Sequence, residues 1–215
     1  MKQYFVTGIG TDVGKTVAAA ILTEALQADY WKPVQAGGLD FTDTDTVQSL
    51  VSNTRSVFHP EAYRLKMASS PHKAAAAEGI EIDVKGLKLP DTQNNLIVEG
   101  AGGLMVPLNK RYLVLDLVQQ LGLEVVLVSR NYLGSINHTL LTAEVLRYRK
   151  IPVAGIIFNG EENQTSEDFI VKYTGLRRLP SIRQEADFCK DAVATYAREF
   201  KAYLETAQPI EKTLR

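Results

Sequence analysis

"TGIGTDVGKT", residues 7–16, lies between the apolar run YFV (4–6) and a stretch rich in helix formers, KTVAAAILTEALQA (15–28). A strand that passes through a glycine-rich turn into a helix aims backbone N–H groups and a positive helix end at one volume, which suits a polyphosphate. Lys15 is expected to reach the β and γ phosphates and the Thr16 hydroxyl to bind Mg²⁺. The spacing is unusual. Five residues, Ile9 to Val13, separate Gly8 from Gly14-Lys15-Thr16, one more than in the commoner nucleotide-binding loop.

Outward from this loop, short apolar runs recur at LIVE (96–99), VVLVS (125–129) and VAGIIF (153–158), with helically spaced stretches between them. Apolar strands alternating with helices predict an α/β fold of the P-loop NTPase type, a mostly parallel twisted sheet with helices on both faces. TDTDTVQSLV (42–51) has Asp and Thr where a helix is capped, and INHTLLTAEVLRYR (136–149) reads as a further helix. Leu113, Leu115, Leu117, Val118 and Leu121 are spaced to line another. Phe188, Ala192, Val193, Tyr196 and Phe200 predict a docked amphipathic helix near the end, with Cys189 on it as a core or boundary residue. The stretch 59–95 is the least regular; its alanine-rich HKAAAAEG (72–79) is a helix candidate, and the region reads first as covering structure and otherwise as the wall of a substrate cleft. QPIEKTLR (208–215) reads as a fraying tail.

The bulk numbers bound the class. A chain of 215 residues with 45% apolar content is expected to form one domain, spanning residues 1–215. Lys and Arg number 24 against 25 Asp and Glu, a net charge of −1, so nucleic acid and anionic membranes are not expected partners. The lone Cys189 excludes an intramolecular disulfide. The opening MKQYFVTG reads as a strand rather than a signal peptide, and no run approaches the ~20 apolar residues of a membrane helix. A cytoplasmic protein is expected.

A phosphate loop needs an acidic partner for its metal, usually at the end of another strand. LIVEGAGG (96–103) supplies Glu99 at the carboxyl end of an apolar run, where open α/β sheets bind ligands. A second oxygen ligand is sought in TDTDTV, where Asp43 and Asp45 compete and both also suit helix capping. In YWKPVQAGG (30–38), Lys32 follows a short strand and precedes Pro33, which should hold its ammonium near the sheet's carboxyl edge. His59 and His138 read as structural, and His72 as either a cleft residue or part of a capped helix start.

Taken in order, VTGIGTDVGKT, WKPVQAG, SSPH, VEGAGGLMVPL and NYLGSINHTLLTAEVL closely resemble the corresponding segments of dethiobiotin synthetases, over residues 4 to about 160. The long loop is characteristic of that family. The resemblance implies an ATP-dependent ligase of biotin synthesis that needs Mg²⁺ and joins CO₂ (or bicarbonate) to 7,8-diaminopelargonate. By position it implies Thr16, Asp45 and Glu99 as metal ligands and Lys15, Lys32 and Thr11 as catalytic residues. It also implies Asp12, Val13, Gly14, Lys15, Thr16, Val17, Asp45, Glu99, Gly100, Ala101 and Gly102 as ATP-binding. Asn159 and Gly160, with Leu179, Pro180 and Ser181, match its base-contacting segments. Thr11, Lys32, Ala36 and Gly103 match substrate-binding positions. Leu133, Gly134 and Asn137 match a loop that reaches the substrate from a partner subunit, which implies a homodimer.

Two features depart from the family pattern. Ala36 stands where Ser or Thr is frequent, which removes one hydroxyl contact worth ~1 kcal/mol. Beyond residue 160 the match thins, which bears on the choice of base. A competing class is the regulatory switch ATPase with a related deviant loop, but those proteins carry an extra lysine early in the loop, and here no lysine stands between Gly8 and Gly14.

Overall fold

A computed structural model describes residues 1–206, so the tail expected to fray at 208–215 lies outside the described residues. Seven strands form one sheet in the order β4 (Phe58–His59), β2 (Asp29–Trp31), β6 (Leu96–Gly103), β1 (Gln3–Gly8), β7 (Glu124–Arg130), β8 (Val153–Gly160) and β9 (Ile182–Arg183). Every pairing between them is parallel. A separate parallel pair joins β3 (Val34–Ala36) to β5 (Tyr63–Leu65). The chain builds outward from β1 to β2 and β4, returns through β6, and then crosses to β7. That reversal flanks β1 with β6 and β7 and opens a crevice at its carboxyl end.

Alternation along each strand divides the core into two layers. Val6, Tyr30, Ile97, Val126, Val128 and Ile157 face α1 (Lys15–Leu26), α2 (Asp43–Leu50) and α7 (Lys190–Thr206). Phe5, Trp31, Val98, Val125, Leu127 and Ile156 face α3 (Pro71–Ala77), α4 (Val114–Leu121), α5 (Ser135–Tyr148) and α6 (Gln164–Thr174). Central strands buried on both faces explain why their sequence is apolar without a break.

The expected strands and helices occur within a few residues of their predicted places. The structure adds α6 and the short strands β3, β4, β5 and β9, whose two or three residues carry no periodic signal. Cys189 differs from expectation: it is exposed and precedes α7, because the buried face of that helix begins at Val193. The serines before α3 do not cap it with a side chain; Pro71 at its first turn sets the start instead. Among the described residues no helix is long and apolar enough to cross a membrane.

Candidate active site

The phosphate loop leaves β1 at Gly8 and enters α1 at Lys15. Gly14 takes φ 92° as the residue before the helix, and a side chain there would meet the Asn159 amide at 2.1 Å. Only glycine satisfies both demands. No side chain caps α1, so its first N–H groups remain available to an anion. The Lys15 ammonium donates to the Gly10 carbonyl at 2.9 Å, and Asn159 Nδ2 donates to the Val13 carbonyl at 2.9 Å. Burial pulls the Lys15 ammonium below its ordinary pKa, with the Glu99 carboxylate offsetting part of that effect.

Beside the loop lies a cluster assembled from two strands, the segment that follows β2, and two helices. Register places Tyr30 of β2 opposite Ile97 of β6, so Tyr30, Lys32 and Glu99 project from the face that α1 covers. Lys32, 4% exposed, lies 2.6 Å from Asp43 Oδ2 and 2.8 Å from Glu99 Oε1. The Thr16 hydroxyl stands 3.0 Å from Glu99 Oε1 and 3.2 Å from Asp43 Oδ1, one proton between two acceptors. Tyr30 donates to Glu99 Oε2 at 2.8 Å.

Neighbouring carboxylates hold the Lys32 ammonium in its charged form. Burial pulls the Lys32 ammonium down, but Glu99 and then Asp43 outweigh it and leave its pKa raised. Burial first, and the Glu99 charge second, push the Tyr30 hydroxyl well above the usual phenol range, so it remains a donor. Two carboxylates, each within 3.2 Å of the Thr16 hydroxyl, form with it a hard-oxygen set suited to Mg²⁺, which ordinarily completes its shell with water and phosphate oxygens. The residues present fit the ion.

The structure corrects one expected ligand. Asp45 does not face the loop: its carboxylate accepts from the Thr42 amide at 2.8 Å and the Thr42 hydroxyl at 2.9 Å, closing a capping box at the start of α2. Asp43, two residues earlier on the helix, points at Thr16 and Lys32 instead. The spacing Thr42-x-x-Asp45 is itself a capping-box signal and could have told the two apart. Sequence reasoning also passed over Tyr30, because nothing local distinguishes a tyrosine that meets a carboxylate from one that only fills the core.

The remaining expected residues are spread around the loop and the carboxyl edge of the sheet. Thr11 and Asp12 are exposed on the loop, with Arg130 from the end of β7 reaching the Asp12 carbonyl at 3.3 Å. Gly103 pairs with Gly8, and a side chain on Gly102 would come within 3.7 Å of the Thr11 hydroxyl, so these residues adjoin. Ala36 sits on β3, where Gln35 turns its amide to the Gly37 carbonyl. Near the carboxyl ends of β8 and β9, Gly160, Pro180 and Ser181 line a cavity of about 610 Å³ that continues to Ile182, Tyr196 and Glu199. Leu179 instead belongs to the core. Leu133, Gly134 and Asn137 form an exposed junction between β7 and α5, and no hydrogen bond joins them to the Lys32–Glu99 cluster.

Comparison with known proteins separates the branches of this fold. A family model described as an AAA domain matches residues 2–190, and the chain falls within that family. The cell division ATPase MinD of Pyrococcus furiosus superposes with a TM-score of 0.62 over 94% of this chain and 99% of its own, at 11% identity. That likeness shows a shared P-loop NTPase fold. A Cytophaga hutchinsonii protein named ATP-dependent dethiobiotin synthetase BioD is 56% identical, over 92% of this chain and 96% of its own. A Christiangramia forsetii protein of the same name is 50% identical, over 94% and 98%. Identity at this level, extending past the loop through both halves of the sheet, is what the MinD comparison lacks, and by it the chain belongs to the ATP-dependent dethiobiotin synthetase family.

Proposed function

We propose that the protein is an ATP-dependent ligase that closes the ureido ring of dethiobiotin from 7,8-diaminopelargonate and CO₂. The observation that carries this reading beyond ATP binding is Lys32, a second buried lysine beside Thr16 and Glu99 that a simple phosphate hydrolase does not need. In the family chemistry one substrate amine adds to CO₂ and loses a proton to give a carbamate. The carbamate oxygen takes the γ-phosphoryl and ADP departs. The second amine then attacks the mixed anhydride, the C–N bond closes the ring, and phosphate leaves.

The chain's residues divide this work. Backbone N–H groups of the loop and the start of α1 hold the polyphosphate, and Lys15 leaves the Gly10 carbonyl for the phosphoryl oxygens. Thr16, Asp43 and Glu99 would hold Mg²⁺, which when bound offsets charge on those oxygens. Lys32 holds the carbamate anion against the γ-phosphate and so fixes the attack distance. Thr11 and Gly103 stand beside the diamine. Gly160, Pro180 and Ser181 offer the base cleft, with Asn159 tying that cleft to the loop through Val13.

The exposed Leu133, Gly134 and Asn137 fit a role in the active site of a partner copy, which makes a homodimer the working assembly. Incubation of the purified protein with 7,8-diaminopelargonate, bicarbonate and Mg-ATP should yield dethiobiotin by mass, and ATP hydrolysis without that product would sink the reading. Sedimentation should give a dimer; a fully active monomer would remove the shared site.

A further inference from the structure

Glu99 divides its two oxygens between different kinds of partner. Oε1 faces Thr16 and Lys32, both of which the proposed reaction employs. Oε2 accepts from Tyr30, a side chain with 0% exposure and no other hydrogen-bond partner among the described residues. Tyr30 is fixed by the sheet itself: it pairs in register with Ile97, two residues before Glu99 on the same face of β6. Its ring lies against Phe58 of β4, centroids 6.4 Å apart.

We propose that Tyr30 is a positioning residue for cation binding, holding the far oxygen of Glu99 so that Oε1 is presented toward Thr16 and Asp43. The inference rests on the Mg-ATP reading above. Of the three donors around this carboxylate, Thr16 and Lys32 have other duties when nucleotide and substrate bind, and Tyr30 has none. Without the hydroxyl, the carboxylate is free to rotate about its last bond, and Oε2 loses its one donor. A partner behind a metal ligand is commonly worth about 10-fold or more in metal affinity.

The test compares calorimetric binding of a non-hydrolysable ATP analogue in Mg²⁺ and in EDTA, for the unaltered protein and for Tyr30→Phe. The variant should bind as the parent does in EDTA, while the gain in affinity on adding Mg²⁺ shrinks about 10-fold. In turnover, KM for Mg²⁺ should rise with kcat at saturating Mg²⁺ kept within a few-fold. Tyr30→Met, which fills the space without a hydroxyl, should behave alike and serves if the phenylalanine variant is poorly folded. A Mg²⁺ gain equal to that of the parent in either folded variant overturns the role of Tyr30. Absence of any Mg²⁺ gain in the unaltered protein would instead overturn the Mg-ATP reading itself.

Discussion

Two buried carboxylates sit at opposite ends of the same pair of strands and do opposite things. Asp29 opens β2 at the amino edge of the sheet, and Glu99 lies near its carboxyl edge; they are 3% and 1% exposed. Asp29 is held by the Val57 amide at 2.9 Å, Thr92 at 2.6 Å, Asn94 at 3.1 Å and His59 at 3.4 Å, all of which close loops. Glu99 is held by a lysine, the hydroxyl of the phosphate loop and a tyrosine. Fixed, mostly neutral partners mark a carboxylate as a structural pin, whereas a lysine and a phosphate-loop hydroxyl as partners suit the working group proposed for Glu99. Burial alone does not separate the two.

The sharpest break in this contrast comes from removing the cations at the working end. Lys15→Ala and Lys32→Ala should each lower dethiobiotin formation by at least about 10²-fold. Near-normal turnover in Lys32→Ala would remove its proposed role. Lys32→Met should also cost about 3 kcal/mol in chemical denaturation without nucleotide, because the buried Glu99 and its neighbour Asp43 lose the one cation in direct contact with both. Mg-ATP should restore more stability to that variant than to the parent, and equal restoration would argue against a cation site between these carboxylates.

A finer cut separates Asp43 from Asp45. Asp43→Asn should weaken the Mg²⁺ contribution to ATP binding about 10-fold or more. Asp45→Asn should leave that contribution alone and only lower the thermal midpoint slightly, since it loosens the capping box of α2. The reverse ranking would restore Asp45 as the ligand.

The smallest effect on chemistry is expected at the structural end. Asp29→Asn should keep catalytic rates and lose about 2 kcal/mol of stability in chemical denaturation. Burial pushes the Asp29 carboxyl up, but the hydrogen bonds from Thr92, Val57, Asn94 and His59 outweigh it and leave its pKa lowered. A depressed acid lends stability above its unfolded pKa and loses it as pH falls through the native value. The parent should therefore lose this contribution at pH values below the ordinary aspartate range, and Asp29→Asn should lack that part of the acid transition. Identical acid-unfolding curves would show that Asp29 contributes nothing there.

By itself the sequence determined the phosphate loop, the long apolar strands and the positions of Lys15, Thr16, Lys32 and Glu99, because each rests on local spacing: a glycine turn entering a helix, or a charged residue at the end of an apolar run. The capping-box spacing Thr42-x-x-Asp45 is local as well, whereas Asp45 as a metal ligand rested on the family resemblance alone. Only the tertiary structure brings Asp43 to Thr16 and Lys32, since that depends on which face of α2 turns toward the start of α1, 27 residues earlier in the chain. Only it brought Tyr30 to Glu99, because pairing of β2 with β6 in one register sets two distant residues on one face of the sheet. Residues bound by neighbours in the chain are legible in order; residues bound across the sheet become legible when register and packing are known.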